Sequence, residues 1–120
     1  SRININTKLN LHAMKNLVQL IGHVGQDPEI KNLEAGKKLA NISIATNEVY
    51  YRDNGDKVEK TEWHRVTAWG KVADIIEKYV AKGKEIAIEG KLTHRSYDDK
   101  DGNKRYVTEI VANEILLLSK

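Results

Sequence analysis

At 120 residues the chain has the length of one domain, enough to bury a core without covalent staples. It has no cysteine, which excludes disulfides and thiolate metal sites and fits a reducing cytoplasm; no apolar run approaches a membrane span or a signal peptide. Net charge is +3, but Arg2 and Lys8 lie in Ser1–Ala13, an acid-free stretch that reads as a vector-derived leader ahead of Met14, and without those two the balance falls from +3 to +1. Bulk charge therefore argues for no polyanionic partner, and any such partner must meet a local basic surface.

The domain proper is read as residues 14–120. Asn16–Val24 alternates as a first strand, Val18 and Leu20 on one side, Leu17 and Ile21 on the other, with Gly22 and Gly25 suited to a bulge or bend. Gln26–Glu29 is a turn around Pro28, the one proline. Leu39–Tyr51 is a second strand whose Ala40, Ile42 and Ile44 mark the core side, and Asn54-Gly55 turns it into a third, Thr61–Gly70. Val72–Lys82 has helical spacing, with Val72, Ile75, Ile76, Tyr79 and Val80 on the core-facing side and Gly83 where a left-handed cap belongs. Glu85–Leu92 is a fourth strand that runs on through Thr93–Tyr97 as an arm. A charged turn, Asp98–Lys104, leads to a fifth strand, Arg105–Leu118, with Asn113 marking a kink. Three strands, a helix, then two strands is the order of an all-β OB-fold, a five-stranded Greek-key barrel with its one helix between strands three and four.

The third strand carries the chemistry. With period two, Trp63, Arg65, Thr67 and Trp69 share one face; Glu62, His64, Val66 and Ala68 share the other. A core would not alternate indoles with a guanidinium, whereas an unpaired nucleic-acid strand would use both, the rings for bases and the cation for phosphates. All seven aromatic residues are Trp or Tyr and none is Phe, which points to rings at wet surfaces, Tyr79 excepted. Arg52, Arg65, Lys71, Arg95 and Arg105 each lie beside or near a ring. The Tyr97–Gly102 turn fails as a calcium loop, since Tyr97 and Thr108 fall where liganding acids are needed. His23, His64 and His94 lie on separate strands, no helical metal pair or nucleophile elbow occurs, and neither an active site, a metal site nor a cofactor site is expected. His64, beside Val66 and Ala68, fits a buried or interface histidine better than a catalytic one.

The runs Gly25-Gln26-Asp27-Pro28-Glu29, Ala45-Thr46-Asn47-Glu48, Thr61-Glu62-Trp63-His64-Arg65-Val66, Tyr79-Val80-Ala81-Lys82-Gly83 and Ile88-Glu89-Gly90-Lys91-Leu92 occur in order. Together they closely resemble the bacterial single-stranded DNA-binding protein family over Leu17–Leu117. The resemblance implies a homotetramer of OB-folds in the cytoplasm that wraps single-stranded DNA in replication, recombination and repair, without enzymatic activity. It places base stacking on Tyr50, Trp63, Trp69 and Tyr97, phosphate contacts on Arg65, Lys71 and Arg95, and a subunit contact on His64; Leu17 and Ile21 are further candidates for that contact. Family members usually continue into a linker and an acidic tip that recruits replication and repair proteins; this sequence stops at Ser119-Lys120 without one, so that recruitment is not carried over. Two rivals remain: a primosomal-type OB adaptor that mainly binds proteins, and an OB-fold nuclease, which would need carboxylates clustered at the groove.

Overall fold

The computed structural model describes residues 15–118; the leader at 1–13 lies outside the described residues. Six strands and one helix follow in order: β1 (Val18–Val24), β2 (Glu29–Asn32), β3 (Lys38–Tyr51), β4 (Lys57–Trp69), α1 (Gly70–Tyr79), β5 (Glu85–Asp98) and β6 (Lys104–Leu117). β1 pairs antiparallel with β5, β5 with β6, and β4 with β3, while β6 meets β4 in parallel at Val66↔Ile110 and Thr67↔Val111. β3 returns to β1 through His23↔Ala45 and Val24↔Ile44. Five strands thus close on themselves, with α1 between the third and fourth strands of the barrel: the OB-fold expected from the element order.

Closure depends on a close approach. A Cβ on Gly22 would collide with the carbonyl oxygen of Ala45, so a side chain there would push β1 away from β3 at the seam. The interior is filled by alternate residues of each strand, Ala40, Ile42 and Ile44 from β3, Val66 and Ala68 from β4, Ile86 and Ile88 from β5, Ile110 and Ala112 from β6. β-Branched side chains suit a pleated, one-sided surface, which is why these stretches form strands. α1 closes one end of the barrel with Ala73 and Ile76, joined by Val80 just past its end. Lys38 Nζ ties the start of β3 to this helix, 2.8 Å from Asp74 Oδ1 and 2.6 Å from Glu77 Oε1. Those hydrogen bonds raise the lysine pKa, and the bond to Lys38 lowers that of Asp74.

The elements depart from the sequence expectation in several places. β2 was not anticipated: Glu-Ile-Lys-Asn has one apolar residue, and its strand conformation comes from pairing with Lys38–Asn41 of β3. The helix ends at Tyr79 rather than Lys82, because Val80 is extended while its N–H still bonds to Ile76 O at 3.0 Å. Gly83, with φ +89°, serves the following turn and donates its N–H to Val24 O at 2.8 Å rather than capping the helix. Tyr79 is 59% exposed, not a core residue. The buried line runs Ala73–Ile76–Val80, and Tyr79 falls on the neighbouring Ile75–Tyr79 row at the rim. Asn113 does mark an irregularity: the β5–β6 register passes from Glu89↔Glu114 to Gly90↔Ala112, leaving it as the extra residue of a bulge.

Beyond the barrel, β3–β4 and β5–β6 continue as two-stranded hairpins. From Asn47 to Glu62, and from Leu92 to Thr108, exposed residues occur on both faces of the ribbon, as expected where no layer covers either side.

Candidate nucleic-acid interface

The outward face of the barrel is built by the residues that alternate with the core. On β3 these are Asn41, Ser43 and Ala45; β4 contributes Arg65 opposite Ser43 and Trp63 opposite Ala45. Glu109 of β6 lies opposite Thr93 of β5, and Arg95 and Tyr97 follow on the same side of β5. An open groove of about 570 Å³ lies on this face, lined by Trp63, His64, Arg65, Arg95 and Glu109 together with Asn41 and Ser43 of β3 and Gln26, Asp27, Glu29 and Lys31 from the β1–β2 region.

Trp63 is 62% exposed and Trp69 46%, so both indoles present ring to solvent. Trp63 rests its six-membered ring on the backbone of Gly25, where a Cβ would strike ring atoms Cζ3 and Cη2. That glycine, at the exit of β1, therefore sets the height and tilt of the ring. Arg65, two residues on, is exposed and has no acidic partner among the described residues. Arg95 is held more firmly: its Nε donates to Glu109 Oε1 at 3.0 Å and its guanidinium carbon lies 5.9 Å from the Tyr97 ring centroid, a cation–π distance. Thr67 shares the outward parity yet is buried. Its hydroxyl donates to Glu109 Oε2 and Asn41 Oδ1, each at 3.0 Å, one proton between two acceptors.

The structure gathers Trp63, Arg65 and Arg95 in one groove. Tyr97 stands beside them on the β5–β6 hairpin, half exposed. Trp69 and Lys71 lie apart, at the far end of β4 and in the first turn of α1, both exposed. Tyr50 is half exposed on the β3–β4 hairpin, but its pairing with Val58 puts it on the opposite pleat from Trp63. His64 is half buried, with its Nε2 2.9 Å from Thr46 Oγ1, at the point where β3 parts from β1. Leu17 and Ile21 are both exposed on or beside β1, whose Val18–Gly22 segment pairs only with β5 and leaves its other edge open. Asn41, Ser43, Lys31 and Glu109 were not singled out from the sequence; Asn41 and Ser43 were signalled there, since they alternate with the predicted core residues Ala40, Ile42 and Ile44. Among the described residues no three His, Asp or Glu side chains cluster to hold a metal, and no helix is long and apolar enough to cross a membrane.

Indole, guanidinium and amide groups thus line one open groove on a closed OB barrel, an architecture that in other proteins holds extended polymers. The chain belongs to the single-strand binding protein family, whose model matches residues 15–118. It is 47% identical over 104 residues to single-stranded DNA-binding protein 1 of Chlorobaculum tepidum, covering 86% of this chain and 64% of that protein. It is 45% identical over 109 residues to single-stranded DNA-binding protein 1 of Xylella fastidiosa, covering 90% and 80% respectively. Among solved structures, it superposes on a Plasmodium falciparum SSB complex with ssDNA with a TM-score of 0.80 at 34% identity, covering 87% of this chain and 95% of that one. The chain thus spans just under two thirds of the length of the Chlorobaculum relative.

Proposed function

We propose that this domain binds single-stranded DNA with little regard for sequence and protects it in replication, recombination and repair. The observation that carries the reading is the outward alternation Trp63–Arg65 on β4, open to solvent and joined by Arg95 across the groove. Trp63, Trp69, Tyr50 and Tyr97 stack bases, and Arg65, Lys71 and Arg95 take phosphates. Each stacked ring contributes about 1–3 kcal/mol, so a few rings outweigh the modest net charge. The domain acts as a binding module and not as a catalyst. The named relatives and the neighbouring structure support this, since each is described as a single-stranded DNA-binding protein or its complex.

Copies of the chain assemble, in this reading, as a homotetramer in the cytoplasm. Support comes from the open β1 edge with Ile21 and Leu17 exposed beside it, and from His64 bridged to Thr46 where that edge begins. Light scattering is expected to give a mass four times that of the chain, and Ile21→Asp to lower it.

The binding test is an anisotropy titration of labelled oligo(dT) against a duplex of equal length. Tight binding of oligo(dT), weakened by salt, with little duplex binding is the expected result. Equal affinity for both would end the proposal and favour the protein-docking adaptor.

A further inference from the structure

The two adjacent tyrosines of the β3–β4 hairpin cannot serve one bound strand alike, because the pleat sends them to opposite faces. The register between β3 and β4 runs without a shift from Leu39↔Trp69 to Tyr51↔Lys57. Trp63 pairs with Ala45, and Tyr51 lies six positions further along β3, on the parity of Ala45; Tyr50 has the other parity. Six positions span on the order of 20 Å. Between the two rings the same face carries the Thr61 hydroxyl, bonded to Asn47 Oδ1 at 2.7 Å, and the exposed side chain of Val49. Across from Tyr51 stands Lys57, 3.3 Å from Glu59. Tyr51 itself is 69% exposed, more than either tryptophan.

We propose that Tyr51 is a further base-stacking platform, on the Trp63 side of the hairpin, that carries the bound strand beyond the barrel. The proposal rests on the single-stranded DNA reading above. A strand lying over Trp63 and leaving the barrel along β3–β4 passes Thr61, Val49 and Glu59 on this face before it meets the ring. Lys57 offers a cation beside it, and Glu59, its ion-pair partner, keeps that end of the track near neutral. Stacking is then the principal contribution of the hairpin tip.

The test measures the affinity of the full chain for a long oligo(dT), in wild type and in Tyr51→Ala, Tyr51→Phe and Trp63→Ala. Tyr51→Ala is expected to weaken binding about fivefold or more, the low end for loss of one stacked ring. Tyr51→Phe, which keeps the ring and drops the hydroxyl, is expected to stay within about twofold of wild type, since stacking needs only the π-face. Unchanged thermal melting checks that the exposed substitutions leave the fold intact. Wild-type affinity for Tyr51→Ala alongside weakened Trp63→Ala would overturn the proposal and leave the single-strand reading standing. Equal weakening in Tyr51→Ala and Tyr51→Phe would also overturn it, in favour of a hydroxyl contact. Failure of wild type to prefer oligo(dT) over duplex would instead remove the underlying reading.

Discussion

Trp63 owes its place to the absence of an atom. With a methyl group on Gly25 the indole ring must move, because Cζ3 and Cη2 occupy the space the methyl needs. Gly25→Ala is therefore expected to shift the Trp63 emission and weaken oligo(dT) binding, while melting changes little; loss of fold instead would show the glycine serves the barrel seam. The two groove arginines are expected to behave differently. Arg65 has no acidic partner among the described residues, so Arg65→Ala should lower the log–log salt slope of binding by about 0.7, the value for one phosphate on a single strand. Arg95 already spends its Nε on Glu109, so its removal should also disturb Tyr97 and Glu109. Outward exposure of both tryptophans was legible in the sequence, because they alternate with the Arg65 guanidinium on one face, which a core would not do. Glu109 was not legible. Its position depends on the parallel pairing of β4 with β6, which places Thr67 against the neighbourhood of Ile110 and Val111 across a sequence separation that no local pattern records.

At the scale of elements, the hairpins were only half visible. The Asn54-Gly55 turn was clear, yet the ladder around it is longer than the polar segment suggested: β4 begins at Lys57, and Arg52 N–H bonds to Asp56 O at 2.9 Å to close the turn. Charged residues form strand here because the partner strand satisfies their backbone, whatever their side chains prefer. Tyr79 misled for the converse reason. Helical spacing finds a face, but the width of the buried stripe depends on how the helix lies on the barrel: Ala73, Ile76 and Val80 are buried, with Val72 half-buried against them. The β5–β6 tip is organised by a single carboxylate. Asp99 Oδ1 accepts N–H bonds from Asp101 and Asn103, both at 2.9 Å, and Oδ2 accepts from Arg105 Nε at 2.9 Å. The Arg105 bond, then the Asn103 bond, lowers the Asp99 pKa below its ordinary 3.8. A depressed carboxylate stabilises the ordered turn above pH 3.8 and loses that contribution as pH falls through the lower folded value. Amide shifts of Asp101 and Asn103, followed by NMR in acid, should therefore move together with a midpoint below 3.8; a midpoint at or above it would contradict the clasp.

For the molecule as a whole, a small barrel plugged by one helix supports two long ribbons that bury little. Stability should then reside in the barrel. Ile76, fully buried on the inner side of the helix, is expected to cost about 2–5 kcal/mol when cut to alanine, read from the chemical-denaturation midpoint. Substitutions on the hairpins should leave that midpoint nearly unchanged while altering binding. This division lets the rings project without being drawn into the core. The closed strand order was legible from the count and sequence of elements, whereas β2 and the open β1 edge needed the three-dimensional pairing. The most direct measurement of the central idea follows each indole separately, with Trp69→Phe leaving only Trp63 to report and Trp63→Phe leaving only Trp69. Titrated with oligo(dT), both proteins are expected to lose most of their tryptophan emission at the stoichiometric point, as bases stack on the remaining ring. Tight binding that leaves both emissions unchanged would mean that DNA lies elsewhere on the barrel, and the account of this face would be wrong.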